Sequence, residues 1–580
     1  MERYNAYIIA PGIAIAPIHT LASPEIKPSA RSIDKVEIPR EYARFINAVV
    51  ATKRELKLLK NRTAEEIGEK EAAIFDAHLM LLDDPLLHLQ VSKKLETELV
   101  NVEAILARVI DELSESFASL PDPVMSERSA DITDVGVRLV GHLQGKATEE
   151  LVVNEPCVLS AREISPSTAA LLDTDKILGL IVETGSPTSH TAILAHALGI
   201  PAVVLKSEDR EEWQTGTMVV VDGLLGEVIV DPDAETKIEY DAKAAYLINL
   251  ELKLRDRTTL YAQTTDDLYV NVLCNLEIPS EIAVARENGA HGVGLYRTEY
   301  LFMNRRQLPD EEEQYRHYRV VVEAFTDLPV TIRTMDIGGD KFFSESSISG
   351  EMNPFLGLRA IRYSFAYPEL FRQQIRAILR ASQHGTVKIM FPMIACLEEV
   401  EKIKVFLAEC SEQVGVSMDN VEAGIMIETP GAALAADSLA SEVEFFSIGS
   451  NDLIQYTMAA VRGNESLNYL HNPVRPVVLN LMHSVVDAAN EAGIDTTICG
   501  EMASDIRVVP LLVGAGFSKF SMNPRSIPAV KEMIRRISRK ECEDLFNEIV
   551  QMRFVDDVSK AVEERFGSRM EDLGVAGQRR

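Results

Sequence analysis

Cysteine is scarce in this 580-residue chain, and no two cysteines form a CxxC pair. The six cysteines are scattered at positions 157, 274, 396, 410, 499 and 542. This spacing argues against a structural zinc site and against a disulfide framework, and it fits a reducing compartment. We therefore expect the protein to reside in the cytoplasm.

Long hydrophobic runs are also missing. The longest apolar runs, such as VTIRTMDI and AGIMI, have the length of a strand, whereas a membrane-spanning helix needs about 20 apolar residues. Residues 1–19 contain only a short apolar stretch and no basic segment, so no signal peptide is predicted. The sequence predicts no membrane insertion.

Basic residues are outnumbered by acidic residues. The chain carries 59 Lys and Arg against 89 Asp and Glu, a formal net charge of −30. Nucleic-acid binding requires basic side chains that neutralise phosphates, so this balance argues against a nucleic-acid partner. It is compatible with a basic protein partner attracted over long range. A small anionic substrate would need a locally basic pocket.

Residues 33–143 have an almost purely helical pattern. Apolar residues recur at helical spacing over 41–64, 71–99 and 101–120. The pattern predicts an antiparallel bundle inserted after the opening strand, YIIAPGIAIAP. From the pattern alone, the bundle could either space two domains or bind a partner.

The remaining sequence predicts a multidomain α/β protein. Residues 1–32 and 144–232 combine short β-branched runs with helices and are expected to form one α/β domain interrupted by the bundle. Residues 233–261 are predicted to form a linker helix. From 262 to 580, strand-sized and helix-sized patterns alternate, as in a (β/α)8 TIM barrel. The eight candidate strands are LYVNVLC, GVGLYR, VTIRTMD, GLRAIR, VKIMFPM, AGIMIET, FFSIGS and TTICGE.

Polar side chains follow or end most of these candidate strands, where TIM barrels keep their active sites. They are Arg297, Arg333, Lys341, Arg359, Glu428, Asn451, Asp452, Arg462, Cys499 and Glu501. Any one of them could be a solvated loop charge, but their joint placement indicates a site for an anion bound by guanidinium groups. Two carboxylates beside an anionic substrate suit Mg²⁺.

His190 is predicted at the first turn of a helix, after the turn-forming run GSPTS. The N–H groups of a helix N-terminus disfavour an imidazolium but would bind a phosphate carried by a neutral imidazole. The alternative is a surface residue behind an ordinary Ser or Thr cap. The segment alone leaves both interpretations open.

Eight segments together resemble enzyme I of the bacterial phosphoenolpyruvate:sugar phosphotransferase system. They are TSHTAI, GLYRTEYLFM, RTMDIGGDK, NPFLGLRAIR, IMFPMI, IETPGAA, FFSIGSNDLIQYT and CGEMASD, in that order along the chain. The resemblance implies a swivelling phosphohistidine domain, transfer of the phosphoenolpyruvate (PEP) phosphoryl group to the histidine phosphocarrier protein HPr, and a homodimer formed by the barrel.

The resemblance also implies a role for each matching residue. His190 corresponds to the phosphorylated histidine and Cys499 to the proton donor. Arg297, Arg333 and Arg462 correspond to the arginines that hold PEP, with Arg359 and Lys341 nearby. Asn451 and Asp452 correspond to substrate contacts, and Glu428 with Asp452 to the Mg²⁺ ligands. In the helical insert, the residues expected to contact HPr are His78, Met80, Leu81 and Asp84.

Other functions are compatible with parts of this pattern. A dikinase or PEP synthase shares the carrier histidine and the barrel, but residues 33–143 are too short and too helical for an ATP domain. A paralogue could feed a regulatory phosphorelay rather than sugar uptake. A non-catalytic binding protein would not be expected to keep His190, Glu428, Asp452 and Cys499.

Overall fold

The computed structural model divides into two compact units, Met1–Ile248 and Asn249–Arg580. It describes residues 1–21, 28–66, 72, 74–118, 123–145, 153, 155–162, 164, 168, 176–183, 195, 199–205, 213–302, 307–338, 353–418, 421–462 and 465–574. Among the helices of these residues, none has both the length and the apolar character needed to cross a bilayer.

The first unit contains an eight-stranded mixed sheet in the order β1-β8-β7-β3-β4-β5-β6-β2. Strands β3 to β6 run parallel, and β2, β7 and β1 pair antiparallel to their neighbours. The strands are β1 (Glu2–Asn5), β2 (Tyr7–Ala10), β3 (Ile13–Thr20), β4 (Cys157–Ala161), β5 (Ile177–Val182), β6 (Ala202–Val204), β7 (Met218–Asp222) and β8 (Glu227–Val230).

The opening segment YIIAPGIAIAP forms two strands rather than one. Strand β2 lies at an edge of the sheet, whereas β3 lies in its middle. Pro11 cannot donate a backbone hydrogen bond, and Gly12 has a φ of 131°, a conformation that favours glycine. This pair therefore ends one strand and redirects the chain into the next.

The helical insert is observed as predicted. Its helices are α1 (Ile38–Glu66), α2 (Ile74–Leu82), α3 (Pro85–Glu98), α4 (Val102–Ala118) and α5 (Pro123–Leu143). The helical pattern over 71–99 is divided between α2 and α3, because Pro85 starts a helix more readily than it continues one. The helices enclose a core that includes the fully buried rings of Phe45 and Phe75.

The predicted linker helix is α6 (Ala234–Asp256). The domain boundaries assigned from the sequence remain predictions.

The second unit contains a closed barrel of eight parallel strands, β10 to β17, in which β17 and β11 both pair with β10. A short strand, β9, pairs antiparallel with β10 outside this set. The strands are β9 (Ala262–Gln263), β10 (Tyr269–Leu276), β11 (Val293–Tyr296), β12 (Val330–Arg333), β13 (Val387–Phe391), β14 (Val421–Ile427), β15 (Phe445–Ile448), β16 (Asp495–Ile498) and β17 (Lys519–Met522).

Helices surround the barrel and bury its outer face in one continuous apolar core. They are α7 (Ile282–Glu287), α8 (Glu311–Ala324), α9 (Ile361–Ala366), α10 (Pro368–Ala381), α11 (Leu397–Val414), α12 (Pro430–Leu434), α13 (Ala436–Ala440), α14 (Ser450–Met458), α15 (Pro476–Ala492), α16 (Val509–Gly514), α17 (Ile527–Arg535), α18 (Arg539–Ile549) and α19 (Val555–Glu571).

One of the eight predicted barrel strands was wrong. Residues 357–362, GLRAIR, form no strand; Arg359 makes an isolated bridge to Gly338, and α9 begins at Ile361. Ala360 has a φ of 52°, which is incompatible with a continuous strand. The eighth strand is β17, KFSM, whose four residues are too few to show a clear hydrophobic period.

Phe520 in β17 provides a test of barrel closure. Its ring is fully buried, so Phe520→Ala should lower the free energy of unfolding by about 3–5 kcal/mol, as is typical of a buried Phe truncation. Urea denaturation followed by circular dichroism measures the change. Phe554→Ala is the control, because Phe554 is 68% exposed. Equal stability of the two variants would show that β17 is not part of the core.

Candidate active site

The side chains predicted from the strand ends lie at one end of the barrel. Because the barrel strands run parallel, residues after their carboxyl ends gather at the same rim. Arg297 directly follows β11, Arg333 ends β12, and Glu428 directly follows β14. Cys499 directly follows β16, and Asp452 lies in the first turn of α14, after β15. The structure thus brings these predicted residues to a common site.

Arg333 carries its charge almost entirely out of water, with 7% of the residue exposed. Its Nη2 donates to Glu299 Oε1 at 2.8 Å, and its Nη1 lies 3.2 Å from Asp336 Oδ2. Burial alone would lower the pKa of the guanidinium, but the charges of Glu299 and Asp336 outweigh burial and raise it. Arg333 is therefore a permanent buried cation.

Two arginines of the site keep a buried donor without a hydrogen-bond acceptor among the described residues. The Nε atoms of Arg297 and Arg333 are both buried, and neither has a partner within the part of the chain that the structure describes. The Nη1 of Arg297 is bound to Glu277. Since buried N–H groups are nearly always paired, these two donors point to an anionic ligand.

Arg359 is held beside Arg333 by the same carboxylate. Its Nη2 donates to Asp336 Oδ1 at 2.9 Å, and its Nη1 donates to the Tyr456 hydroxyl at 3.0 Å. Burial opposes the charge of Arg359, but Asp336 and Asp452 raise the pKa of the guanidinium above its ordinary value. Asp336 therefore fixes two guanidinium groups on one side of the site.

Glu428 is the most deeply buried acid of the site, at 1% exposure. Its Oε1 accepts the backbone N–H of Met393 at 2.6 Å, whereas Oε2 is buried with no partner among the described residues. Burial, followed by the charges of Asp452 and Asp336, raises the pKa of Glu428 well above its ordinary value. A Cβ on Gly449 would lie 2.8 Å from Oε2. The glycine therefore leaves space beside a carboxylate oxygen that has no hydrogen-bond partner among the described residues.

Cys499 is buried at 3% exposure and packs inside the barrel. Burial is the main cause that raises the pKa of its thiol to about 11, so the thiol stays protonated at neutral pH. The thiol donates to the carbonyl of Ile448 at 3.4 Å. The Asn275 side chain donates to the carbonyl of Cys499 at 3.0 Å, which fixes the backbone at this position. The arrangement can deliver a proton but holds no thiolate nucleophile.

Two further pairs lie on the rim of the site. The amide of Asn451 donates to Glu501 Oε1 at 3.0 Å and accepts the Glu501 backbone N–H at 3.1 Å. Arg462 Nη2 lies 3.3 Å from Asp452 Oδ1, and its side chain is 47% exposed. Glu501 and Arg462 are exposed, whereas Asp452 is buried.

Two predicted site residues, His190 and Lys341, lie outside the described residues. Their predicted roles therefore rest on the sequence.

The predicted partner contacts in the bundle differ in exposure. Met80 is 61% exposed, and Leu81 is partly buried against the bundle core. Asp84 caps α3 by accepting the Leu86 backbone N–H at 2.8 Å. His78 is only 1% exposed, with Nε2 3.3 Å from Asp131 Oδ1. A protein docked on this surface would meet Met80 first and would not reach the His78 ring.

Three polar residues of the site were not identified from the sequence. Glu299 and Asp336 hold Arg333, and Tyr456 holds Arg359. The sequence does show both acids: Glu299 lies two residues after Arg297 in RTE, and Asp336 lies three residues after Arg333 in RTMD. Both acids belong to segments that resemble enzyme I, but sequence spacing did not reveal which arginine each acid contacts.

The pKa of Cys499 predicts the pH dependence of its alkylation. Only a thiolate reacts with the alkylating agent. The alkylation rate of Cys499 in the folded protein should therefore rise about tenfold per pH unit between about pH 8.5 and about pH 10, a range in which the alkylation rate of an ordinary cysteine levels off. Iodoacetamide labelling followed by peptide mass spectrometry measures this profile. The unfolded chain is the reference. A plateau near pH 8.5 in the folded protein would contradict the buried environment.

Three family models match successive parts of the chain. Residues 6–128 match the N-terminal domain of PEP-utilising enzymes, and residues 153–226 match their mobile domain. Residues 252–539 match the PEP-binding domain, which includes all of the described barrel site. The order of the three matches agrees with the architecture predicted from the sequence.

Curated relatives match the chain nearly end to end. The phosphoenolpyruvate-protein phosphotransferase of Priestia megaterium is 41% identical over 96% of this chain and 97% of its own length. The protein of the same name from Bacillus subtilis is 41% identical over 98% of this chain and its full length. A solution structure of an Enzyme I (nEIt) protein is 34% identical over 42% of this chain and 98% of its own, with a TM-score of 0.36. By the extent and identity of the curated matches, the chain belongs to the phosphoenolpyruvate-protein phosphotransferase family.

Proposed function

We propose that the chain transfers the phosphoryl group of PEP to His190, releases pyruvate, and passes the group to HPr as the first step of sugar uptake. The observation that carries this proposal is the set of unpaired buried groups at the barrel rim. Among the described residues, the Nε donors of Arg297 and Arg333 lack an acceptor, and Glu428 Oε2 lacks a hydrogen-bond partner. A substrate phosphate accompanied by a divalent ion would satisfy both requirements.

The arginines bind and orient the substrate. Arg297 and Arg333 hold the phosphate through their buried donors, and the more exposed Arg462 reaches the substrate from the rim. Arg359, Asn451 and Lys341 complete the proposed set. Phosphoryl transfer passes through a loose transition state, so positioning and charge neutralisation supply most of the catalysis. His190 needs only to present a neutral ring nitrogen to the phosphorus.

Cys499 supplies the proton that completes pyruvate formation. As the bond between phosphorus and the enol oxygen breaks, its electron pair stays on that oxygen and leaves the enolate of pyruvate. The C3 carbon of the enolate takes the proton of the Cys499 thiol, and solvent then reprotonates the thiolate. A pKa of about 11 keeps the thiol protonated before each turnover.

Glu428 and Asp452 are the proposed ligands for Mg²⁺. The described residues contain no preassembled cluster of three or more metal-ligating side chains. Two carboxylates completed by substrate oxygens are a common arrangement for this ion. When bound, Mg²⁺ would neutralise phosphate charge, and the same charge would favour ionised Glu428.

The helical bundle is the proposed docking site for HPr. Residues 33–143 contain 21 Asp and Glu against 14 Lys and Arg. Met80, Leu86 and Leu89 are each more than 60% exposed within ten residues of one another. Charge of this sign would accelerate encounter with a basic partner, and the apolar side chains would prolong the complex. Of the other predicted contacts, Asp84 would act mainly through its charge.

The proposed assembly is a homodimer formed by the barrel, and the proposed compartment is the cytoplasm. All six cysteines lie among the described residues and are free, which supports a reducing environment.

His190→Ala tests the proposed function directly. The wild-type protein incubated with ³²P-labelled PEP and Mg²⁺ should acquire an acid-labile label that maps to His190. The alanine variant should lose that label completely, because no other residue is proposed to accept the phosphoryl group. Circular dichroism of both proteins checks that the fold is retained. Substantial acid-labile labelling of the variant would disprove the assignment.

Met80→Ala tests the docking surface. Removal of an exposed apolar contact at the centre of an interface should weaken HPr binding about tenfold, mainly through faster dissociation. Surface plasmon resonance measures both rates. Leu58→Ala is the matched control, because Leu58 is 70% exposed on α1 and is not among the proposed contacts. Equal binding by the two variants would place HPr elsewhere.

A further inference from the structure

A buried glutamine connects the two strands that carry Arg297 and Arg333. Gln374 lies on α10 and is 1% exposed. Its Oε1 accepts the backbone N–H of Met335 at 2.9 Å, and its Nε2 donates to Thr298 Oγ1 at 3.2 Å. Thr298 directly follows Arg297, and Met335 is two residues beyond Arg333. One amide therefore contacts the chain just after both arginines.

Thr298 extends this connection to Arg333 itself. Its hydroxyl accepts from Gln374 and donates to the backbone carbonyl of Arg333 at 3.0 Å. Thr298 has no exposed surface. The backbones of β11 and β12 already pair as neighbouring strands. Because water does not compete at a fully buried site, these side-chain hydrogen bonds add a further constraint on the segments just beyond the two strand ends.

Residues of helix α8 form hydrogen bonds that orient the Gln374 side chain. Gln374 Nε2 also donates to the Tyr318 hydroxyl at 3.1 Å, and that hydroxyl donates to Gln314 Oε1 at 3.2 Å. Gln314 Nε2 in turn donates to the carbonyl of Pro309 at 3.1 Å. Tyr318 and Gln314 are fully buried. The orientation of the Gln374 amide is thus fixed independently of the substrate.

We propose that Gln374 is a positioning residue that sets the spacing of Arg297 and Arg333. This inference rests on the proposed function, in which the two guanidinium groups hold the phosphate of PEP. Gln374 touches no substrate atom in this scheme. It acts through Thr298 and Met335, whose backbones continue directly into the arginine-bearing strand ends.

Core packing alone would not require an amide at position 374. A methionine would fill a similar volume and would avoid the cost of burying polar atoms. The amide instead provides directed hydrogen bonds to two different loops. Phosphate recognition by two guanidinium groups depends on such geometry, since a displacement of about 1 Å can reduce catalysis about 100-fold.

Gln374→Met provides the test, and Gln314→Met provides a matched control. Both glutamines are fully or almost fully buried and contact Tyr318, but within the described part of the chain Gln314 forms no hydrogen bond with either strand end. Isothermal titration with 2-phosphoglycolate measures anion binding without turnover, and labelling by ³²P-PEP gives kcat/KM. Thermal unfolding of each full-length variant measures the loss of stability.

We expect the two variants to lose similar thermal stability, because each loses buried hydrogen bonds. Only Gln374→Met should lower phosphoglycolate affinity and kcat/KM by at least tenfold; Gln314→Met should stay within twofold of wild type. Equal binding losses in the two variants, or no loss in Gln374→Met, would overturn the proposal.

A second variant decides the question if Gln374→Met does not fold. Thr298→Val keeps the shape of the side chain but removes the hydroxyl that joins Gln374 to the Arg333 carbonyl. It should reproduce the tenfold loss of phosphoglycolate affinity, and unchanged affinity would overturn the proposal.

The wild-type protein is labelled in parallel. Failure of wild-type labelling would reject the proposed function, whereas labelled wild type with fully active variants would reject only the role of Gln374.

Discussion

The buried charge of Arg333 constrains the whole open end of the barrel. An unpaired guanidinium at 7% exposure would be strongly destabilising, so carboxylates must accompany it. Glu299 and Asp336 fill this role, and Asp336 also binds Arg359. The result is a charge-compensated cluster in which both guanidinium groups stay protonated at every physiological pH. The Arg333 Nε donor that no carboxylate occupies can then face an anion, although the chain as a whole carries a net charge of −30.

Glu428 differs from Asp336 in the groups that contact its carboxylate. Asp336 is occupied by guanidinium groups, whereas Glu428 accepts one backbone N–H and keeps an oxygen without a partner among the described residues. Burial, followed by the charges of the nearby carboxylates, then raises the pKa of Glu428. A bound cation would reverse that balance, which is why metal and phosphate are expected to bind together.

The sequence was sufficient for the main architecture and for most of the proposed site. Seven candidate strands correspond to barrel strands, and Arg297, Arg333, Glu428 and Cys499 follow or end them as predicted. The errors have a common physical cause. GLRAIR has the composition of a strand, whereas KFSM is too short to signal one. Tyr456 and Gln374 were missed because their importance lies in hydrogen bonds between distant segments, which no local pattern encodes.

Backbone strain at the site shows how the fold supports its chemistry. Met393 and Ala360 have φ values of 60° and 52°, which cost non-glycine residues of order 1–3 kcal/mol each. Met393 donates its N–H to Glu428, and Ala360 adjoins Arg359 and donates its N–H to the carbonyl of Ile337. These two strained residues thus help to fix an acid and a guanidinium of the site. The surrounding apolar core offsets this strain, so the barrel can hold its polar groups ready before any ligand binds.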